Sequence, residues 1–194
     1  MRRTAYLVII TTAALLLGSC TVTKNTTRKG STPRTRYASA SRGTGGSSAS
    51  LGSAHKSNCS KLEVTASSTD NARLYSECAS WLGAKYQYGG TTKSGVDCSG
   101  FVYMVYKAVF GKTLTRQSAG MLTDNCTKIT KSQLREGDLV FFRTDGKKSS
   151  TPNHVGIYLK ENKFIHASTS KGVVVSDLLQ SYYVTNWITG GRVK

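Results

Sequence analysis

Apolar side chains recur every three or four positions between residues 70 and 82, a spacing that predicts an amphipathic helix. Asp70 or Asn71 supplies an N-cap, and Gly83 ends the pattern. The predicted buried face carries Tyr75, Cys78, Ala79 and Leu82.

A second helix is predicted over residues 98–110, after the N-cap candidate Asp97 and before Gly111. A loop with two glycines, residues 86–92, precedes it, and a short helix is expected near residues 116–122. The apolar side of the second helix carries Phe101, Val102, Val105, Tyr106 and Val109.

The pattern then changes to short, β-prone segments separated by turn residues, which is typical of neighbouring strands. Five such segments are predicted as strands: 137–143, 154–159, 164–168, 173–175 and 187–193. Helices followed by a run of strands predict an α+β fold, in which an antiparallel sheet packs against the helices.

Two histidines lie in neighbouring predicted strands, and the loop between the strands decides whether they share a face. A three-residue loop over 160–162 pairs Gly156 with His166 and places His154 diagonally beside His166. A two-residue loop would put the two rings on opposite faces of the sheet. The three-residue loop is favoured because Asn162 tolerates the left-handed backbone that such a loop needs.

The first 60 residues differ in character from the rest. A basic start and an apolar run over residues 5–17 predict a signal peptide over residues 1–19, and the run is too short to span a membrane. Cys20 directly follows Leu-Gly-Ser, which resembles a bacterial lipidation motif; an ordinary signal peptide with an incidental cysteine is the alternative. Residues 20–60, rich in Ser, Thr and Gly, are predicted to be a disordered basic tether before a folded domain at 61–194.

Charge narrows the class of partner. The chain carries a formal net charge of +17, and no acidic residue precedes Glu63. Residues 1–60 hold nine of the 27 basic residues, so the predicted domain has 18 basic and 10 acidic residues, a net of +8. Secretion and the lack of a nucleic-acid-binding motif exclude nucleic acid, whereas an acidic cell-wall polymer fits; a merely solvated basic surface is the alternative.

The five cysteines show no metal-binding spacing, so neither a metal nor another cofactor is expected. Cys20 is assigned to lipid and Cys78 to the core. Whether Cys59 and Cys126 pair in an oxidising compartment is left open. Cys98 is the candidate nucleophile.

Cys98 follows Asp97 at the predicted start of a helix, where unpaired backbone N–H groups favour a thiolate. A small buried cysteine is the alternative. The histidine pair favours catalysis, with His154 as the base that deprotonates Cys98 and His166 as the residue that orients it.

Three segments carry a resemblance to the NlpC family of papain-like cell-wall cysteine peptidases: DCSGFV at 97–102, HVGIYL at 154–159 and FIHAS at 164–168. The loop YQYGG at 86–90 and the segment LTRQS at 114–118 also resemble that family. The match runs in order from about residue 70 to the end. Residues 154–194 are especially similar to a lipid-anchored murein endopeptidase of the family.

The resemblance implies a papain-like fold with Cys98 as nucleophile, His154 as base and His166 as the polar third residue. It implies that the Tyr86 hydroxyl lies near the nucleophile beside the oxyanion; an aromatic loop residue is the alternative.

Asp97 and Ser99 would flank the site and contact charged ends of the substrate, or simply cap the helix. Arg116 would bind a substrate carboxylate or serve a structural role. The family often has proline where this chain has Thr115, a minor departure.

The implied function is hydrolysis of peptidoglycan stem or cross-link peptides that contain D-amino acids, without a cofactor. The bond is either γ-D-glutamyl to diaminopimelate or D-alanyl to diaminopimelate. A monomer is expected, held by lipid on Cys20 in the cell envelope, at the outer membrane facing the periplasm. Two alternatives are a non-catalytic wall-binding lipoprotein on the same fold and a related amidase or acyltransferase.

Overall fold

Five α-helices and eight β-strands occur in residues 47–194, the part of the chain that the computed structural model describes, with side chains from residue 52 onward. The helices are α1 (Ser47–Lys61), α2 (Ala72–Trp81), α3 (Cys98–Phe110), α4 (Ser118–Gly120) and α5 (Ser181–Asn186). The strands are β1 (Thr91–Thr92), β2 (Gly95–Val96), β3 (Cys126–Ile129), β4 (Leu139–Phe142), β5 (His154–Tyr158), β6 (Lys163–Ser168), β7 (Gly172–Asp177) and β8 (Trp187–Val193). A π-helical turn (Met121–Asn125) follows α4, and a 3-10 turn (Lys131–Gln133) follows β3.

The caps of α2 and α3 explain where these helices begin and end. The Asn71 side chain accepts a hydrogen bond from the Leu74 N–H at 3.1 Å, which selects Asn71 over Asp70 as the α2 cap. Asp97 accepts from the Gly100 N–H at 2.6 Å, and Gly111 ends α3 with a φ of +67°. Both predicted helices are confirmed.

Strands β3 to β8 form one antiparallel sheet in the order β3-β8-β4-β5-β6-β7. All five predicted strands are present, and the predicted α+β class is confirmed. β3 and α5 were not predicted, because neither shows a clear apolar period.

Both faces of the sheet are buried. One face packs against α2 and α3 through side chains that include Leu139, Phe141, Val155, Ile157 and Ile165. The other face holds a second cluster of Val140, Phe142, Phe164 and Leu178, covered by Tyr183 and Trp187. The face of the sheet that carries His154 and His166 was expected to point away from the core. It does so, but the second cluster shields this face from water.

The β5–β6 hairpin has the predicted register. Ile157 pairs with Ile165, and the Leu159 N–H donates to the Lys163 carbonyl at 2.9 Å, which leaves the three-residue loop 160–162. Asn162 has a φ of +62°, as the sequence predicts, and Glu161 is also left-handed at +55°.

The N-terminal boundary needs correction. The prediction of a disordered tether over 20–60 is wrong for residues 47–60, because α1 occupies them and contacts α2. Cys59 has no exposed surface, and His55 lies 3.0 Å from Asp70. Composition suggests disorder there, but these few side chains find partners in the following segment.

The predicted signal peptide 1–19, Cys20 and the tether up to residue 46 lie outside the described residues. Within the described part of the chain, each helix is too short or too polar to cross a membrane.

Replacing Gly172 with alanine is expected to lower the free energy of unfolding by roughly 2 kcal/mol or more. Gly172 has a φ of +72°, and an added Cβ would lie 2.3 Å from the Ala84 carbonyl oxygen. Gly146 is the matched control, since it has the same φ and open space around its Cβ position. Its alanine variant should lose only about 1 kcal/mol in urea unfolding. Equal losses would mean that the contact with Ala84 contributes nothing.

Candidate active site

Cys98 is the first residue of α3, and its sulfur lies against the neighbouring strand β5. The residue is 9% exposed. Burial raises the pKa of the Cys98 thiol. The backbone N–H of Val155 opposes the rise, and the Asp97 carboxylate adds to it. The expectation of an ionised sulfur at a helix start is therefore wrong for the free site. Burial outweighs the helix terminus, and the resting thiol is neutral.

The two predicted histidines form a hydrogen-bonded pair on one face of the sheet. His154 Nε2 lies 2.8 Å from His166 Nδ1, and both side chains are buried. The predicted juxtaposition is confirmed. On its far side, His166 Nε2 lies 3.1 Å from the Ser176 hydroxyl and 3.1 Å from the Tyr183 hydroxyl.

This chain of contacts is compatible with a set of proton positions that leaves His154 with a free basic nitrogen. Burial lowers the pKa of His154 to about 4 and the pKa of His166 well below its ordinary value, so both rings are neutral at pH 7. If His154 donates from Nε2 to His166 Nδ1, His166 carries its proton on Nε2 and donates it to Ser176 or Tyr183. Nδ1 of His154 is then the basic atom of the pair.

The sequence did not identify Ser176 and Tyr183. Ser176 lies on β7 and Tyr183 on α5, and their hydroxyls are 3.2 Å apart. A serine in a short strand and a tyrosine in an irregular helix give no pattern that points to His166.

The structure brings Cys98 to the strand of His154 but does not join their side chains. The backbone N–H of Val155, the residue next to His154, lowers the pKa of the Cys98 thiol. Across residues 52–194, no hydrogen bond links its sulfur to either imidazole ring.

A cavity of about 400 Å³ opens over Cys98. The remaining predicted site residues, Tyr86, Asp97, Ser99 and Arg116, all line it, and Tyr88, Gly89, Gln117, Ser118 and Asn153 complete the wall. His154 and His166 line a separate, smaller cavity of about 70 Å³. Cys98 therefore lines the wide groove, whereas the histidine pair lines the smaller cavity.

Arg116 is held by the loop and helix around the nucleophile. Its guanidinium lies 3.0 Å from the Ser99 hydroxyl and 3.2 Å from an Asp97 oxygen. Burial would raise the pKa of Asp97, but the bonds from Arg116 and the Gly100 N–H hold that pKa below its ordinary value. Asp97 also accepts from the Gly89 N–H at 2.8 Å. These contacts give Asp97, Ser99 and Arg116 the structural role that the sequence left as one alternative.

Tyr86 is half-buried beside the nucleophile, as the resemblance implies. Its main chain pairs with Val96. Burial raises the pKa of the Tyr86 hydroxyl, and Cys98 and Asp97 raise it further, so the hydroxyl keeps its proton and can donate a hydrogen bond.

The two remaining candidates for a disulfide are free thiols. Cys59 lies in α1 and Cys126 begins β3, and both are buried without a partner cysteine. The disulfide between Cys59 and Cys126 that the sequence left open is therefore not formed.

We expect the free energy of unfolding to fall as the pH drops from about 6.5 to about 4. The folded pKa of His154 lies near 4, below its ordinary 6.5, so the unfolded chain binds more protons in this window. A shift of that size corresponds to about 3 kcal/mol. Urea unfolding at successive pH values measures the slope, and His154→Gln should reduce it. An unchanged slope in that variant would contradict the assignment.

A helix-start cysteine beside a strand that carries one of a pair of histidines on an antiparallel sheet is typical of papain-like cysteine hydrolases. Residues 83–192 match the model of the NlpC/P60 family, and the chain belongs to that family. The predicted membership is confirmed.

Two proteins are similar to this chain in amino-acid sequence. A probable endopeptidase NlpC homolog of Haemophilus influenzae is 42% identical over 122 residues, which are 63% of this chain and 61% of the relative. A murein DD-endopeptidase MepS/murein LD-carboxypeptidase of Escherichia coli is 35% identical over 181 residues, 93% of this chain and 87% of the relative. The match thus spans less than two thirds of the first relative and most of the second. The predicted class, a cell-wall endopeptidase of the cysteine type, is confirmed.

Solved structures agree on the fold. A Bacillus cereus NlpC/P60 family protein superposes with a TM-score of 0.55 at 29% identity, over 62% of this chain and 38% of that one. The NlpC/p60 domain of the peptidoglycan hydrolase SagA gives a TM-score of 0.51 at 30% identity, over 63% of this chain and 97% of that one.

Proposed function

We propose that this protein is a murein endopeptidase that cuts peptide cross-links through a covalent intermediate on Cys98. The observation that carries the proposal is the His154–His166 contact of 2.8 Å, anchored by Ser176 and Tyr183. It holds a neutral base on β5, next to the residue whose N–H contacts the Cys98 sulfur.

The first step forms an acyl-enzyme. As substrate enters the groove, the Cys98 thiol gives its proton to His154 Nδ1 and its sulfur bonds the peptide carbonyl carbon. The oxyanion accepts hydrogen bonds from the Cys98 N–H at the helix start and from the Tyr86 hydroxyl. The carbon–nitrogen bond then breaks, and His154 passes its proton to the leaving amine.

The second step regenerates the thiol. His154 takes a proton from water, the resulting hydroxide attacks the thioester, and the sulfur leaves and recovers a proton from His154. The imidazolium that forms in each step is stabilised by its Nε2–H bond to His166 Nδ1. Because thiol and imidazole both start neutral, His154 acts as a true general base.

The proposed bond joins D-alanine to diaminopimelate in a cross-link. Its support is the Escherichia coli relative, whose name includes DD-endopeptidase and which aligns over 93% of this chain. The net charge of +8 on residues 61–194 complements the carboxylates of wall peptides. The Arg116 side chain lines the groove and is 33% exposed, although its ion pair with Asp97 offsets its charge.

Mass spectrometry of muropeptides tests the proposal. Purified cross-linked sacculi are digested with the protein and with Cys98→Ala, then solubilised with a muramidase. We expect cross-linked dimers to be converted to monomers by the wild type only. Cleavage between D-glutamate and diaminopimelate would replace the proposed bond with another. Release of intact peptides from glycan would indicate an amidase, and no change would indicate a wall-binding protein.

We also propose lipid attachment at Cys20 and residence in the cell envelope, at the outer membrane facing the periplasm. The support is the signal-like segment 1–19 and the Leu-Gly-Ser-Cys sequence. Incorporation of labelled palmitate into the wild type but not into Cys20→Ala, with loss of that variant from the membrane fraction, is the expected result. Equal labelling of both would refute the anchor.

A monomer is expected for the soluble domain on size-exclusion chromatography.

A further inference from the structure

Three side chains of different chemistry converge at the junction of α1 with the segment before α2. His55 Nε2 lies 3.0 Å from Asp70 Oδ2. The Cys59 sulfur lies 3.6 Å from the same nitrogen and 3.9 Å from the same oxygen. The cluster belongs to no part of the proposed catalytic machinery.

The triangle of donor atoms has the size of one face of a tetrahedral zinc site. Ligand bonds of about 2.3 Å to sulfur and about 2.0 Å to nitrogen and oxygen place N and O about 3.3 Å apart and sulfur about 3.5 Å from each. The observed separations differ from these values by less than about 0.5 Å. The three atoms are therefore close enough to share one ion, provided that the Cys59 side chain turns its sulfur away from Nδ1 of His55, which lies 3.8 Å from it.

The cluster does not serve as a second catalytic relay, because the thiol of such a relay must reach a substrate and Cys59 has no exposed surface. Its sulfur lies against the His55 ring, 3.6 Å from Nε2 and 3.8 Å from Nδ1, while Asp70 contacts Nε2. The sulfur contacts of 3.6 Å and 3.9 Å are long for hydrogen bonds but match the spacing of ligands around a metal.

Burial favours an ion at this place, whereas the donors to Asp70, which are the Ser67 N–H on Oδ2 and the Lys160 ammonium on both oxygens, compete with it. Cys59 has no exposed surface, and the side chains of Asp70 and His55 are 4% and 13% exposed. Asp70 also accepts from the Ser67 N–H at 2.7 Å and from Lys160, which lies 2.7 Å from Oδ1 and 2.8 Å from Oδ2. Lys160 is 22% exposed, so its ammonium can stay on Oδ1 or turn to water when a cation takes Oδ2.

We propose that His55, Cys59 and Asp70 bind a thiophilic divalent cation, Zn²⁺ foremost, with water in the fourth position. A nitrogen, sulfur and oxygen donor set suits Zn²⁺, whereas Mg²⁺ and Ca²⁺ prefer oxygen alone. Binding releases the thiol proton as the zinc–sulfur bond forms. The ion fastens α1 to the segment before α2, so the site is structural and independent of the cleavage reaction. Sequence spacing missed it because His55 and Cys59 fell within the predicted tether.

Cobalt and zinc binding test the site. The tag-free protein is prepared as Cys98→Ala, which removes the catalytic thiol from consideration. Added Co²⁺ should produce a thiolate-to-cobalt charge-transfer band and tetrahedral visible bands at one equivalent, and Zn²⁺ should abolish them. Zn²⁺ should also raise the midpoint of thermal unfolding. Cys59→Ser and His55→Gln should lose the charge-transfer band and the thermal shift, whereas the matched control Cys126→Ser keeps both.

Several results would overturn the proposal. A cobalt spectrum without thiolate character in the folded parent protein would do so, whether or not the variants fold. A charge-transfer band that persists in Cys59→Ser would assign the ion to another thiol. Zinc binding that is weak, above one equivalent and unaffected by either substitution would indicate an adventitious ion only. Sacculus digestion by wild-type protein is scored separately, so failure of either idea leaves the other intact.

Discussion

Cys98→Ala is expected to abolish cleavage of cross-linked muropeptides, with a loss of at least about 1,000-fold in kcat/KM. The sulfur is the atom that bonds the substrate, and alanine leaves no side-chain nucleophile. Since Cys98 is nearly buried and alanine removes only one atom from it, the fold should persist. The rate of dimer-to-monomer conversion, followed by liquid chromatography, measures the effect.

Cys126→Ala is the matched control for this prediction. Cys126 is also a buried free thiol, but it lies on β3, away from the groove. Its variant should retain wild-type cleavage. A Cys98→Ala protein that still digests sacculi would remove the covalent mechanism, and equal losses in both variants would point to damaged packing instead.

His154→Ala is expected to lower kcat by about 100-fold to 10,000-fold with little change in KM. The reason is the protonation of the free site: burial keeps the thiol neutral, so attack requires a base. Alkylation of Cys98 by iodoacetamide at neutral pH should slow in parallel, because the same base activates the sulfur in both reactions.

A variant of His166 serves as a comparison for His154→Ala. Because it acts through His154, His166→Gln should reduce kcat less than His154→Ala does, and an amide that still accepts from His154 Nε2 should retain part of the rate. A His154→Ala protein with wild-type alkylation and cleavage rates would show that the thiol is activated by another group. The Val155 N–H, which lowers the pKa of the thiol, would be a candidate for stabilising the thiolate.

Those features of the fold that depend on local sequence were predictable. The bounds of α3 follow from Asp97 and Gly111, which act within one turn of the helix. The β5–β6 register follows from strand alternation and from a left-handed Asn162. Both depend on neighbours along the chain, and both were confirmed.

Features that depend on distant partners were not predictable. α1 is held by contacts to α2 and by the His55–Asp70 pair across 15 residues, which a polar, glycine-containing sequence does not reveal. The support of His166 by Tyr183 requires knowledge of how α5 covers the sheet. The protonation of Cys98 depends on burial, a property of the packed site rather than of the helix start alone.

The position of β8 has a consequence for how the molecule is made. β8 follows every other strand in sequence, yet it lies between β3 and β4 and pairs with both. A nascent polypeptide therefore cannot assemble this sheet until residues 187–193 have left the ribosome, and before then β3 and β4 present unpaired edges. For the secretion that we propose, delayed assembly would keep the chain unfolded during passage through a channel. For the same reason, a truncation inside this segment would split the scaffold rather than trim its end.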